Sequence, residues 1–327
     1  MKHTPSSLTH NNSVAEAVLE GLQRQPKALP SWLFYDARGD HIFQDIMRMP
    51  EYYLTDCEYE LFQTHKQVLL SRFSAGVDAF RIVELGAGDG LKTEVLLQHF
   101  VSQKAALSYT PVDISGAVLA QLKTRLQASV PQLDIQALQA DFLQSLTMLE
   151  TPPDTRQVIL FLGANIGNFS LPKAATFLQR IRQQMGAKDL LMVGFDLKKD
   201  PRLIQLAYDD PHGITRSFNL NLLVRLNGEL GANFQLDKFS HYPCYDPVSG
   251  AAKSYLVSQR PQTVQIEALD RSFSFAQWEL IHTEISQKYD LPMIEALAEN
   301  AQLEIQEVFY DCKHYFCNVI FAGKSSA

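Results

Sequence analysis

The 327-residue chain lacks most of the features that announce a metal site or a compartment. Its four cysteines, Cys57, Cys244, Cys312 and Cys317, lie far apart or at spacings that match no usual zinc pattern, which favours reduced thiols over disulfides or metal ligation. The nine histidines form no HExxH motif, and His282 beside Glu284 has no third ligand near it in sequence, so no metal is expected. No run approaches the about 18 apolar residues of a membrane span. The first thirty residues hold no apolar core of signal-peptide length, so the expectation is a cytoplasmic protein without a membrane partner. The net charge of −7 comes from interspersed acids rather than a block. That excludes the basic footprint of a nucleic-acid binder and leaves a small molecule as the expected partner.

What is present is patterned apolar content. Hydrophobic residues make up 46% of the chain, enough for two modest domains or one large domain with an insertion. Residues 13–24 and the stretch "DHIFQDIMRMP" read as amphipathic helices, and a helical period runs from Cys57 to about Phe73. Then strands and helices alternate. "FRIVEL" (80–85), "LSYTPVDIS", "LDIQALQADF" (133–142), "QVILFLGANIGN" and "DLLMVGFDL" read as strands with helices between them. Apolar strands interleaved with helices imply a parallel sheet covered on both faces, with its ligand beyond the carboxyl ends of the strands.

The alternation breaks over roughly residues 200–285, where a helix "ITRSFNLNLLVRLNGEL" closed by Gly231 precedes strand-like stretches near 233–245, 252–258 and 263–269. That is an α+β insertion. "DLKKD" (196–200) reads as a solvated connection into it, with Asp196 ending a strand. After it, "LEIQEVFY" and "HYFCNVIFAG" fit an antiparallel hairpin. The fold class is therefore α/β: a Rossmann-like sheet with a C-terminal antiparallel hairpin, plus an α+β domain, a layout that resembles that of the class I methyltransferases.

"VELGAGDGLKTEVLL" (83–97) places Gly86, Gly88 and Gly90 directly behind a strand. Backbone N–H groups can then approach a ligand where a Cβ would collide. The dinucleotide fingerprint GxGxxG fails, because its last glycine position is Leu91. GxGxG headed by Glu84 fits S-adenosylmethionine (SAM), although a tight strand-to-helix turn without a ligand has the same sequence. Asp113 ends the next strand, where a carboxylate can accept both ribose hydroxyls, and Asp141 and Phe142 end the one after, offering an adenine acceptor and an apolar face. Lys92 would reach the carboxylate of the cofactor's tail.

The segments "WLFYDARGDHIFQDIMRMPEYYLT", "ELGAGDGLKT", "FLGANIGNF", "DLKKD", "AYDDPHGITRSFN" and "TEISQKY" together resemble the histidine-specific Nα-methyltransferases of ergothioneine biosynthesis, in order and with spacings preserved. The resemblance implies a SAM-binding domain at 61–196 completed by 287–327, and a substrate domain built from 1–60 and the insertion 197–286. It also implies trimethylation of the α-amine of L-histidine to hercynine. Tyr52 and Tyr208 would hold the α-carboxylate, Asn168 the amine with Tyr35 nearby, and Glu284 and Ser286 the imidazole, while Gly163 would line the same pocket. Catalytic roles fall to Asn168 and Tyr35. The pattern departs at Asp40, Leu54 and Asn165, and Ser254 stands where the family carries a methionine beside the imidazole. A methyltransferase for another amino acid or small amine, or a SAM-binding protein without catalysis, remains compatible with the sequence. A monomer is expected.

Overall fold

The computed structural model describes residues 5–149 and 154–324. The chain divides into two compact units, Met1–Tyr53 with Lys199–Ser286, and Leu54–Lys198 with Gln287–Ala327.

The second unit is built on an eight-stranded sheet. Its main strands are β1 (Ala79–Leu85), β2 (Leu107–Asp113), β3 (Asp134–Ile135), β4 (Thr155–Phe161), β5 (Leu190–Asp196), β6 (Leu303–Tyr310) and β7 (Phe316–Gly323). They lie in the order β6-β7-β5-β4-β1-β2-β3, and the two-residue strand Leu138–Gln139 also pairs with β2. Strands β1 to β5 run parallel, while β7 is antiparallel to both β5 and β6. The order in which strands are added reverses between β1 and β4, whose carboxyl ends lie side by side. This is the class I methyltransferase layout expected from the sequence. Burial explains the apolar composition: β7 is buried continuously from Phe316 to Phe321, as a strand covered on both faces must be. One face packs Phe73, Phe80 and Phe100 edge to face, and the other packs Phe161 and Phe177 with Phe142.

Two sequence expectations need correcting in this unit. The single strand expected over 133–142 is two fragments of two residues, and Phe142 opens a helix, Phe142–Met148. The Asp141 carboxylate caps that helix, accepting from the N–H groups of Leu143 and Gln144 at 3.0 Å, and this local bond overrides strand pairing. Second, "DLKKD" is only partly solvated: Asp196 ends its strand as expected, Lys198 and Lys199 are half-buried, and Asp200 is exposed. Asp196 is fully buried, with its carboxylate 2.8 Å from the ammonium of the equally buried Lys288, and Lys198 pairs with Asp290 at 2.9 Å.

In the first unit, helix Ile214–Leu230 ends at Gly231 in the left-handed conformation (φ +61°), as its sequence predicts. It packs Phe218, Leu222, Leu223 and Leu226 into a core shared with Val14, Val18, Leu33 and Phe34. A four-stranded sheet runs in the order Lys27–Ala28, Leu280–Gln287, Ala251–Ser258, Phe239–Asp246, and a separate hairpin joins Gln262–Ile266 to Arg271–Phe275. The strand expected from residue 233 starts only at Phe239, after a 3-10 turn at Leu236–Lys238. None of the described helices is long and apolar enough to cross a membrane.

Candidate functional site

The turn after β1 has its three glycines at positive φ: Gly86 +73°, Gly88 +53° and Gly90 +64°. Backbone bonds set that geometry, with the Val112 carbonyl accepting from Gly86 N at 2.8 Å and Ala87 N at 3.0 Å. At Gly90 the left-handed backbone (φ +64°) strains any side chain, and a Cβ there would also press on Leu122 Cδ1 at 2.7 Å. A Cβ on Gly88 would meet nothing within 4 Å. The backbone at Gly88 therefore has room for a ligand to approach. Asp113, at the end of β2, accepts from Gly88 N (3.0 Å) and Ser115 N (2.9 Å), so it fixes the turn with one lone pair of each oxygen and retains the other. Phe142 lies against the same turn, its Cε1 3.3 Å from the Cβ position of Gly86.

Glu84 heads the glycine motif near the end of β1. It is buried, and it accepts from Thr93 Oγ1 at 2.7 Å and from the Tyr109 hydroxyl, bracing β1 against β2 and the helix Leu91–Ser102. Burial pushes its carboxyl up from 4.5 to about 7, outweighing the bonds from Tyr109 and Thr93 and the attraction of Lys92. The folded state then keeps a proton that the unfolded chain releases above about 4.5. The stability linked to Glu84 is complete below that pH and is lost as pH rises through about 7. Glu84→Gln lacks this loss. Between about pH 5 and pH 8 its melting temperature should rise relative to wild type by several degrees, on the order of 2–3 kcal/mol. A difference independent of pH contradicts the assignment.

Lys92 does not project alone. Its ammonium is paired with the fully buried Glu58, which also accepts from Gly163 N at 3.0 Å. Gly163 (φ +68°) opens the turn after β4, and the Asn165 amide lies 3.6 Å and 3.7 Å from the Cβ positions of Gly86 and Gly163. The carboxyl ends of β1 and β4 therefore carry Gly86, Lys92, Gly163 and Asn165 together. Asn168 ends the following 3-10 turn, Asn165–Asn168, and is exposed. Glu58 and Asn165 are the residues that sequence reasoning missed. The available signal for Asn165 was its departure from the family pattern; for Glu58 there was none.

The first unit gathers the other set. The Tyr208 hydroxyl donates to Ser286 Oγ at 2.8 Å, and Tyr52 packs in one apolar cluster with Tyr208. Phe43 stands edge-on to both Tyr35 (5.5 Å) and Tyr52 (6.4 Å). Glu284 is half-buried in strand Leu280–Gln287, and the two-residue strand period puts it on the same face as Ser286. Tyr35, Tyr52, Tyr208, Glu284 and Ser286 thus belong to one unit and, through Phe43 and Ser286, to connected clusters. Ser254 is buried and its carbonyl accepts from Thr283 Oγ1 at 3.0 Å.

All four cysteines are unbridged. Among the described residues Glu60, Asp311 and Cys312 bring possible ligand atoms within 4.8 Å of one another. The Asp311 carboxylate already accepts from the N–H groups of Lys313, Tyr315 and Phe316, and Cys312 bonds to Glu60, so this group braces a loop.

Comparison with known proteins gives a consistent answer. The family model described as "Histidine-specific methyltransferase, SAM-dependent" matches residues 14–322. The chain is similar to the histidine N-alpha-methyltransferases of Mycobacterium tuberculosis, 35% identical over 83% of this chain and 83% of that protein, and Mycolicibacterium smegmatis, 35% identical over 85% and 86%. It is also 30% identical, over 76% of its length, to a third of ergothioneine biosynthesis protein 1 of Schizosaccharomyces pombe (33% of that protein).

Proposed function

The chain belongs to the family of SAM-dependent, histidine-specific methyltransferases, and from that premise we propose that it trimethylates the α-amine of free L-histidine, giving hercynine. The ordered match along residues 14–322 carries this reading. The residues of the second unit fit the cofactor. Gly88 leaves its backbone bare beside open space, Asp113 and Asp141 supply acceptors for ribose and adenine, and Phe142 gives an apolar face. When bound, SAM supplies an electrophilic sulfonium methyl group and departs as S-adenosylhomocysteine.

For the amino acid, the roles implied by resemblance are proposed residue by residue. Tyr52 and Tyr208 hold the α-carboxylate, Asn168 aims the amine, Tyr35 lies nearby, Glu284 and Ser286 grip the imidazole, and Gly163 leaves room for it. The clustering of Tyr52, Tyr208 and Ser286 supports three of these assignments. The protein's work is positioning, since the amine needs no covalent help once its lone pair is free. A free α-amine is mainly protonated at neutral pH, so the site has to take the deprotonated form, with bulk water as the final proton acceptor. Tyrosine faces such as that of Tyr35 suit the quaternary cation formed at the third transfer. Turnover with histidine should climb from pH 6 to pH 9 in a stopped-time assay; a flat profile speaks against selection of the neutral amine.

A second reading, methylation of a different amino acid, is favoured by one residue, the buried Ser254, where the resemblance implies a methionine. Rates measured across a panel of free amino acids separate the two. Histidine should be fastest, and tryptophan or tyrosine outrunning it would remove Glu284 from the role of imidazole partner.

A further inference from the structure

Glu58 is a buried charge to which the reading above gives no task. It lies in helix Leu54–Ser74 and is 0% exposed. A helix that needed only to cover the sheet would present leucine there, because burying a carboxylate is strongly unfavourable unless its partners are well placed. Its partners come from two separate loops. Lys92, behind the glycine turn of β1, pairs with Oε2, and Gly163 N, behind β4, donates to both oxygens at 3.0 and 3.2 Å. The sheet makes room for this carboxylate: a Cβ on Gly194 of β5 would stand 2.6 Å from Glu58 Oε1 and 2.9 Å from the buried Asn318 Oδ1.

Lysine carries four methylene groups with large rotamer freedom, so an unanchored ammonium meets a ligand at a cost in order. Anchored on Glu58 by one N–H, it keeps two more for a second carboxylate. We propose that Glu58 is a positioning residue for the amino-acid tail of the cofactor, holding the Lys92 ammonium and the Gly163 backbone at the ends of β1 and β4 before the ligand arrives. The inference rests on the SAM-binding reading of this unit.

The test compares two ligands that share a thioether adenosine and differ in the tail, S-adenosylhomocysteine and 5′-methylthioadenosine, titrated calorimetrically into the full chain. Glu58→Gln should weaken S-adenosylhomocysteine about tenfold or more, the size of a lost charge-assisted contact, and leave methylthioadenosine within about twofold. In a Lys92→Met background the same change should cost less than about twofold, because Glu58 acts through that ammonium. Equal weakening of both ligands identifies a merely structural role and overturns the proposal. So does an unchanged S-adenosylhomocysteine affinity, or a full Glu58→Gln effect that persists without Lys92. Should Glu58→Gln fail to fold, Glu58→Asp, which keeps the charge but withdraws it from Lys92, takes its place: selective weakening of S-adenosylhomocysteine supports the proposal, and equal or absent weakening overturns it. Wild-type protein that binds neither ligand removes the cofactor reading itself, and this inference with it.

Discussion

Glu284→Gln should lower kcat/KM for L-histidine at least tenfold, with the loss carried by KM and the KM for SAM nearly unchanged. The substitution keeps the shape of a side chain that is half-buried on the Ser286 face of its strand and removes only its charge. A carboxylate facing an imidazole N–H makes a charge-assisted bond of roughly 1.5–3 kcal/mol, and about 1.4 kcal/mol is already a factor of ten. Because the contact is present in the ground state and the transition state alike, it should appear in KM rather than in kcat. Kinetics close to wild type would place Glu284 away from the substrate. A fall in SAM affinity of similar size would show that the change acts through folding.

Asp113→Ala should act on the opposite ligand. Its two oxygens hold Gly88 N and Ser115 N, so truncation releases the turn and also removes the proposed ribose acceptor. Each charged hydrogen bond contributes about 1.5–3 kcal/mol, which sets the expected rise in the KM for SAM at roughly 10- to 100-fold, with the histidine KM little affected. Asp113→Asn keeps one acceptor oxygen and should lose less. If alanine and asparagine variants bind S-adenosylhomocysteine as tightly as wild type in calorimetry, Asp113 serves only the loop.

The legible parts of this molecule are those that short-range physics encodes. Glycines at alternate positions behind an apolar strand have few reasons to exist other than a left-handed turn, and Gly86, Gly88 and Gly90 all take positive φ. Gly231 stops its helix for the same reason. Asp113 stood out as a polar residue ending a buried strand. Long-range pairings were hidden. Nothing in the local pattern ties Glu58 to Lys92 or Asp196 to Lys288, because each pair is brought together only by the sheet.

Weak strands were hidden as well. Arg271–Phe275 alternates serine with phenylalanine behind a turn made by Asp270 at φ +46° rather than by glycine, so it lacks the usual hairpin signal. At Leu133–Phe142 the apolar alternation was real, but Asp141 found better use as a helix cap. The roles of Tyr52, Tyr208, Glu284 and Ser286 came from family resemblance. Taken singly, each has an ordinary structural explanation, and their clustering in one unit gives them weight together.

The most direct measurement is the mass and fragmentation of the product after the chain is incubated with SAM and L-histidine. The account expects histidine to gain three methyl groups, all on the α-nitrogen, in step with S-adenosylhomocysteine release. Unmodified histidine under conditions where S-adenosylhomocysteine binds, or methyl groups found on the imidazole ring, would contradict it.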